Sequence, residues 1–196
     1  ITGQGDDIRI IKFAQKYSDE SEPNKLMFYN RKGILIQETP FKRAIGYLGL
    51  NTLDLQDQLI IPLNNGVAVY TKSTRKVDFI TGLNKMYPCS YGSGFTNRLH
   101  SDPLIANRTF EYAGEACVIV LHQTDYNTDY KAAISIIGLK SRKRLKFLHL
   151  PETSEFKPLI KDFNKDGKLD LLVNCRDGKL YCFDLKIAAN NLTINQ

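Results

Sequence analysis

The sequence predicts an all-β fold, and three observations carry that expectation. First, one unit recurs three times: three apolar residues, a glycine-containing turn and a second β-rich run, at 26–36, 59–70 and 171–183. Second, the glycine falls seven positions after the leading leucine in each unit without a gap (Leu26 to Gly33, Leu59 to Gly66, Leu171 to Gly178). Tight turns tolerate glycine best at positive φ, so the register is pinned there. Third, no stretch has convincing helical periodicity; Ile45 to Leu55, the nearest approach, holds two glycines.

Taken in order, Ile8-Arg9-Ile10-Ile11-Lys12-Phe13 reads as a first strand, and the polar, proline-bearing residues 15–25 as a loop. The first two glycine-centred hairpins follow. A stretched version of the unit comes next, with Ala116 to Leu121 as one strand and Ala132 to Ile137 as its partner across a long link from His122 to Lys131. Arg144 to Leu150 largely alternates polar and apolar, as an outer strand does. The third glycine-centred hairpin closes the series. Residues 81–110, with Pro88, Pro103 and Tyr91-Gly92-Ser93-Gly94, read as a long connection.

A chain of 196 residues can bury a substantial core as one domain, 1–196, or as a piece of a larger one. It has neither an initiator Met nor a signal-peptide pattern, so the expectation is a mature form or part of something longer. No apolar run is long enough for a membrane span. The net charge of +6 has much of its local excess at Lys140-Ser141-Arg142-Lys143-Arg144-Leu145-Lys146. No nucleic-acid motif accompanies that run, so a solvated loop is favoured over a nucleic-acid partner. Four cysteines (Cys89, Cys117, Cys175, Cys182) include no C-x-x-C pair, which disfavours zinc. A Cys89–Cys117 disulfide and free buried thiols both stay open, and Cys175 and Cys182 are not expected to lie directly opposite. Asn107-Arg108-Thr109 and Asn191-Leu192-Thr193 are sequons that matter only in a eukaryotic secretory setting. His100, His122 and His149 show no ligand or triad spacing, and Ser93 misses a nucleophile elbow because Tyr91 and Phe95 stand where glycines belong.

One stretch speaks about chemistry: Asp162-Phe163-Asn164-Lys165-Asp166-Gly167-Lys168-Leu169-Asp170, then Leu171-Leu172-Val173. Oxygen-bearing side chains at positions 1, 3, 5 and 9, with glycine at 6, suit a hard cation such as Ca²⁺. Gly167 lets the backbone turn and offer the Lys168 carbonyl beside the side chains of Asp162, Asn164, Asp166 and Asp170. An EF-hand is excluded, since Val173 stands where the bidentate Glu belongs and a β-type run follows. The competing reading is a metal-free polar turn, because Asp, Asn and Gly are what turns use.

The loop and the strand after it resemble the calcium loop of FG-GAP/VCBS repeats, the units of integrin-α-like β-propellers. The resemblance covers residues 156–184, with Phe156 to Ile160 as inner strand, and more loosely 57–71, where Asp57 precedes the strand without the ligand pattern. The phenylalanine-glycine and glycine-alanine-proline signatures of the family are absent as such, so metal is expected in one blade only. The hairpins at about 118 and 171 are spaced like propeller blades, which gives about four blades. They would form part of a larger propeller or one completed by a partner, with 81–110 joining blades.

The resemblance implies a non-catalytic scaffold for protein–protein interaction or assembly, with one structural Ca²⁺ and protein partners, in a larger complex. An extracytoplasmic setting (periplasmic, cell-surface or secreted) suits a calcium loop, with an intracellular complex as the alternative. The alternative function is a carbohydrate-binding or hydrolytic enzyme module on the same fold.

Overall fold

The structure, a computed structural model, describes residues 8–14, 24–30, 32–41, 51–63, 66–80, 103–123, 132–154 and 156–189. The chain divides into two compact units, Ile1–Ile45 and Gly46–Gln196. Among the described residues every extended element is a β-strand in an antiparallel sheet, there is no α-helix, and none of the four sheets closes on itself.

The first unit holds sheet 1, a meander of β1 (Ile8–Ala14), β2 (Asn24–Asn30) and β3 (Leu35–Phe41). Leu26 and Phe28 alternate along β2 and are fully buried. The β2–β3 turn is closed twice over: Gly33 N–H donates to Asn30 O, and Asn30 N–H to Ile34 O, each at 3.0 Å. The Asn30 side chain accepts from the N–H groups of Lys32 and Ile34. Gly33 sits at φ 74°, the left-handed conformation the turn requires.

The second unit holds three sheets. Sheet 2 is a meander of β4 (Leu53–Asp54), β5 (Gln58–Leu63), β6 (Gly66–Thr71) and β7 (Lys76–Ile80). Sheet 3 contains β8 (Leu104–Ile105), β9 (Phe110–Tyr112), β10 (Glu115–Gln123), β11 (Ala132–Gly138) and β12 (Arg144–Leu150). Both β8 and β9 pair with β10. Sheet 4 runs β13 (Leu159–Lys161), β14 (Lys168–Asn174) and β15 (Leu180–Ala188). Its turn repeats the bonding of the β2–β3 turn, with Gly178 N–H donating to Cys175 O and Cys175 N–H to Lys179 O. Gly178 stands at φ 77°. The glycine spacing in the sequence thus marks one turn geometry used twice.

Core packing follows the period-two alternation of strands. In β10, Val118 and Val120 join Leu53, Ile60, Val67, Val69 and Ile80 of sheet 2 in one cluster. Cys117, Ile119 and Leu121 point the other way and join Ile160, Leu169, Leu171, Val173, Leu185 and Ile187 of sheet 4. Sheet 3 therefore lies between sheets 2 and 4 with both faces apolar, and each fully buried Ile or Leu contributes about 1.5–3 kcal/mol of transfer free energy.

Three details depart from expectation. Residues 103–110 are more than a connection, because they contain β8 and the start of β9, with Ile105, Ala106 and Phe110 fully buried; residues 81–102 lie outside the described residues, as do 15–23 of the expected 15–25 loop, whose Asn24 and Lys25 instead begin β2. The inner strand of sheet 4 spans Leu159–Lys161 and not 156–160. Pro158 has no N–H to pair, and the Ser154 hydroxyl accepts from Phe156 N–H and donates to Phe156 O. Finally, β4, β7, β8 and β9 were not anticipated. They are short or half-exposed, and the pattern in two to five residues is too weak to read.

Candidate metal centre

The loop from Asp162 to Gly167 joins β13 to β14, and its polar side chains fix its shape. Asn164 Oδ1 accepts the Asp166 N–H at 3.0 Å, and Asp166 Oδ1 the Lys168 N–H at 2.9 Å. Asp162 Oδ2 accepts from Gly167 N–H, and Asp170 Oδ2 from Phe163 N–H, each at 3.0 Å. Lys165 and Gly167 take φ of 61° and 82°. A Cβ on Gly167 would meet nothing within 4 Å, so its conformation and not lack of space favours glycine there. The Gly167 carbonyl, in turn, accepts the Ala189 N–H at the end of β15.

The five sequence-predicted residues therefore lie on one strand–loop–strand segment. Asp170 is buried, its exposure 3%, while Asn164, Asp166 and Lys168 are exposed and Asp162 is half-buried. Asp162 Oδ1 is buried and has no hydrogen-bond partner. Lys168 Nζ stands 3.8 Å from Asp166 Oδ2. Among the described residues no three His, Cys, Asp or Glu side chains come together as a ready-made metal group. The donors are all oxygen and Asp162 Oδ1 is unpartnered, which fits a hard cation chemically; the remaining carboxylate bonds serve to cap backbone N–H groups.

Sheet 2 closes its corresponding β4–β5 turn with a cation of its own. The Lys72 ammonium donates to the Asp54 carboxylate, to Leu55 O at 2.6 Å and to Gln56 O at 3.3 Å. Asp57, next to β5, accepts from both the N–H and the hydroxyl of Ser73. Sequence reading missed this use of Lys72 because the residue lies across the sheet from the turn it caps.

Two asparagines tie neighbouring sheets together. Asn51 brackets the Ile105 backbone, accepting its N–H at 2.9 Å and donating to its carbonyl at 3.1 Å across 54 residues of sequence. Asn107 Oδ1 accepts the Ile160 N–H at 2.8 Å across 53 residues. Both asparagines satisfy the edge of a short strand that, among the described residues, has no partner strand on that side. Nothing in the sequence marks which of its many asparagines reaches across. Asn107 also belongs to a sequon whose Thr109 is buried, while Asn191 lies outside the described residues.

The remaining candidates are placed as follows. Cys117 and Cys175 are buried thiols, and burial pushes each up to about 11. Cys182 is exposed and pairs in register with Leu172, not with Cys175. Cys89, Ser93 and His100 lie outside the described residues. His122 is buried in β10, and His149 packs edge-on to Phe147 with ring centroids 4.8 Å apart. In the basic run, Arg142 pairs with Asp78 at 3.3 Å and Arg144 lies 4.3 Å from the Phe147 ring centroid. No helix among the described residues is long and apolar enough to cross a membrane.

Fold and loop together define an all-β protein of antiparallel sheets, three of them stacked in chain order, with an acidic strand–loop–strand segment in the last. Compared with known proteins, the chain matches no family model and none of the curated proteins.

Proposed function

We propose that the chain is a non-catalytic scaffold whose sheets are blades of an FG-GAP-type β-propeller. In this reading Asp162, Asn164, Asp166, Asp170 and the Lys168 carbonyl hold one structural Ca²⁺ in the last blade. The observation that carries it is the position of the oxygen-only loop, between the innermost and second strands of a sheet that stacks on its predecessor. Asp162 Oδ1, buried without a partner, adds to it. A cation bound to the folded loop and not to the unfolded chain stabilises by mass action. Flat, loop-bearing faces suit protein partners, and millimolar extracellular calcium suits such a site, so the proposed setting is extracytoplasmic.

The test is a thermal melt of wild type and Asp166→Ala with calcium, with magnesium and with chelator. A calcium-selective rise that the variant lacks supports the site. Identical curves in every condition make the loop a metal-free turn and shift the reading toward an intracellular assembly.

A further inference from the structure

We infer that the β6–β7 and β11–β12 turns together form a docking surface for an acidic segment of a protein partner, gripped by Arg75 and Arg142. The inference deepens the scaffold reading, on whose protein partner it rests, and needs neither calcium nor the propeller.

The two turns share one design. Each is a four-residue loop, 72–75 after β6 and 139–142 before β12, that ends on an arginine and is followed by a lysine: Thr74-Arg75-Lys76 and Ser141-Arg142-Lys143. Arg75 stands at φ 54° and Arg142 at φ 58°. A residue with a Cβ takes that left-handed conformation at a cost, and the β2–β3 and β14–β15 turns put Gly33 and Gly178 in the same region. Turn geometry by itself favours glycine or asparagine there, so an arginine in both places points to a use for the side chain.

Packing sets the two turns side by side. Leu139 packs against the apolar cluster shared by sheets 2 and 3. Asp78 on β7 stands 3.5 Å from Lys76 Nζ and 3.3 Å from Arg142 Nη2, which ties one turn to the other. Arg75, Lys76, Lys140, Arg142 and Lys143 are all exposed, the Lys76 side chain at 70% and that of Arg142 at 54%. Neither loop contains an acidic residue, and three carboxylates beside them are engaged: Asp57 by Ser73, Asp78 by Lys76 and Arg142, and Glu115 by the N–H groups of Lys140 and Ser141. Positive charge is in excess at this corner.

The side chains select the partner. A guanidinium meets a carboxylate through two parallel N–H bonds, and stacked sheets lie about 10 Å apart, so roughly three or four residues of extended chain carry an acidic side chain to each arginine. Nucleic acid fits less well. Neither loop has an aromatic side chain for a base to stack on, and the Phe147 ring already has Arg144 at 4.3 Å from its centroid. A membrane also fits less well, because Leu139, the one apolar side chain in either loop, is packed against the core and does not insert.

The probe is a fluorescein-labelled peptide repeating Glu-Glu-Ser, roughly twelve residues long so as to span both turns, titrated with the full chain in chelator and followed by anisotropy. Wild type should bind at low salt and lose affinity steeply as salt is added. Arg75→Gly and Arg142→Gly should each weaken binding about tenfold while the melting temperature holds or rises, since glycine takes the left-handed turn without strain. Arg142→Lys should recover little, because it keeps the charge and loses the planar fork. Lys179→Gln, which removes one charge at the β14–β15 turn, should bind as wild type does. Absence of binding by wild type overturns the inference. So does a Lys179→Gln loss equal to that of Arg142→Gly, which would mean attraction by net charge alone. Tighter binding of oligothymidine or of phosphatidylserine vesicles, lost in the same variants, overturns it in favour of nucleic acid or membrane. Peptide binding beside a melt that ignores calcium marks failure of the metal reading only, and a calcium response without peptide binding marks failure of this inference only.

Discussion

The amide oxygen of Asn107 accepts the backbone N–H of Ile160 at 2.8 Å, joining the segment just after β8 in one sheet to the middle of β13 in the next. Ile160 is fully buried and its N–H lies on the edge of β13, where no strand pairs it among the described residues. Removing the acceptor strands a donor away from water, at about 1–3 kcal/mol. Asn107→Ala should therefore lower the melting temperature by roughly 2–10 °C for a chain of this size. Asn107→Asp should avoid most of the loss, because it keeps an accepting oxygen. A melt of Asn107→Ala indistinguishable from wild type would show that the bond does not hold the sheets together.

Lys72 makes a different kind of prediction. Its ammonium satisfies two carbonyls and a carboxylate around the β4–β5 turn, and the side chain is 31% exposed. Solvent screening limits the ion pair to about 1 kcal/mol or less, while the carbonyl bonds depend on a compact cation. Lys72→Met should cost about 1–2 kcal/mol in denaturant unfolding, largely unchanged by added salt. Lys72→Arg should not rescue it, since a planar guanidinium does not fit three converging oxygens. A loss that disappears in high salt would reduce the role of Lys72 to a surface ion pair.

Glu115 closes the β11–β12 turn by accepting the N–H groups of Lys140 and Ser141 at 2.9 and 2.8 Å. The Ser141 hydroxyl first, then the Ser141 and Lys140 N–H groups, hold its carboxyl below the ordinary value of 4.5. A depressed folded value means stabilisation that is present above the unfolded value and lost as pH falls through the folded one. Glu115→Gln should cost at most about 1 kcal/mol near neutral pH, given its exposure, and the gap to wild type should close as pH falls below the ordinary value of 4.5 and through the lower folded one. Gly138→Ala should reproduce this loss and add strain, because its Cβ would fall 2.5 Å from Ser141 Oγ and 2.6 Å from Glu115 Oε1. A Glu115→Gln gap that stays constant with pH would detach the turn from the carboxylate's charge.

Strand hairpins were legible because period-two patterning and a glycine at fixed offset are local signals. Leu26/Gly33 and Leu171/Gly178 give the same hydrogen-bonded turn. The acidic loop was legible for the same reason, as all its residues lie within one short segment. Asn51, Asn107 and Lys72 were not, because each acts on backbone far away in sequence, and a lone Asn or Lys has many equivalent uses. The shortness of β8 and β13 had the same root: an edge strand held by a neighbouring sheet's side chain needs little ladder of its own.

The buried thiols give a way to ask whether sheets 3 and 4 open as one body. Cys117 in β10 and Cys175 after β14 belong to a single core cluster, and burial pushes both up to about 11. Each is therefore almost wholly un-ionised near neutral pH, and labelling requires opening of the cluster. Cys182, exposed on the far face of sheet 4, needs no such opening. In a denaturant series, Cys182 should label at once, and Cys117 and Cys175 together, with one midpoint that matches loss of sheet signal. The physical reason is that Ile119, Leu121, Leu171 and Val173 interdigitate across the same interface, so neither thiol can be reached without parting both sheets. If Cys175 labels at lower denaturant than Cys117, sheet 4 opens as an independent unit, and the interface with sheet 3 is weaker than its burial implies.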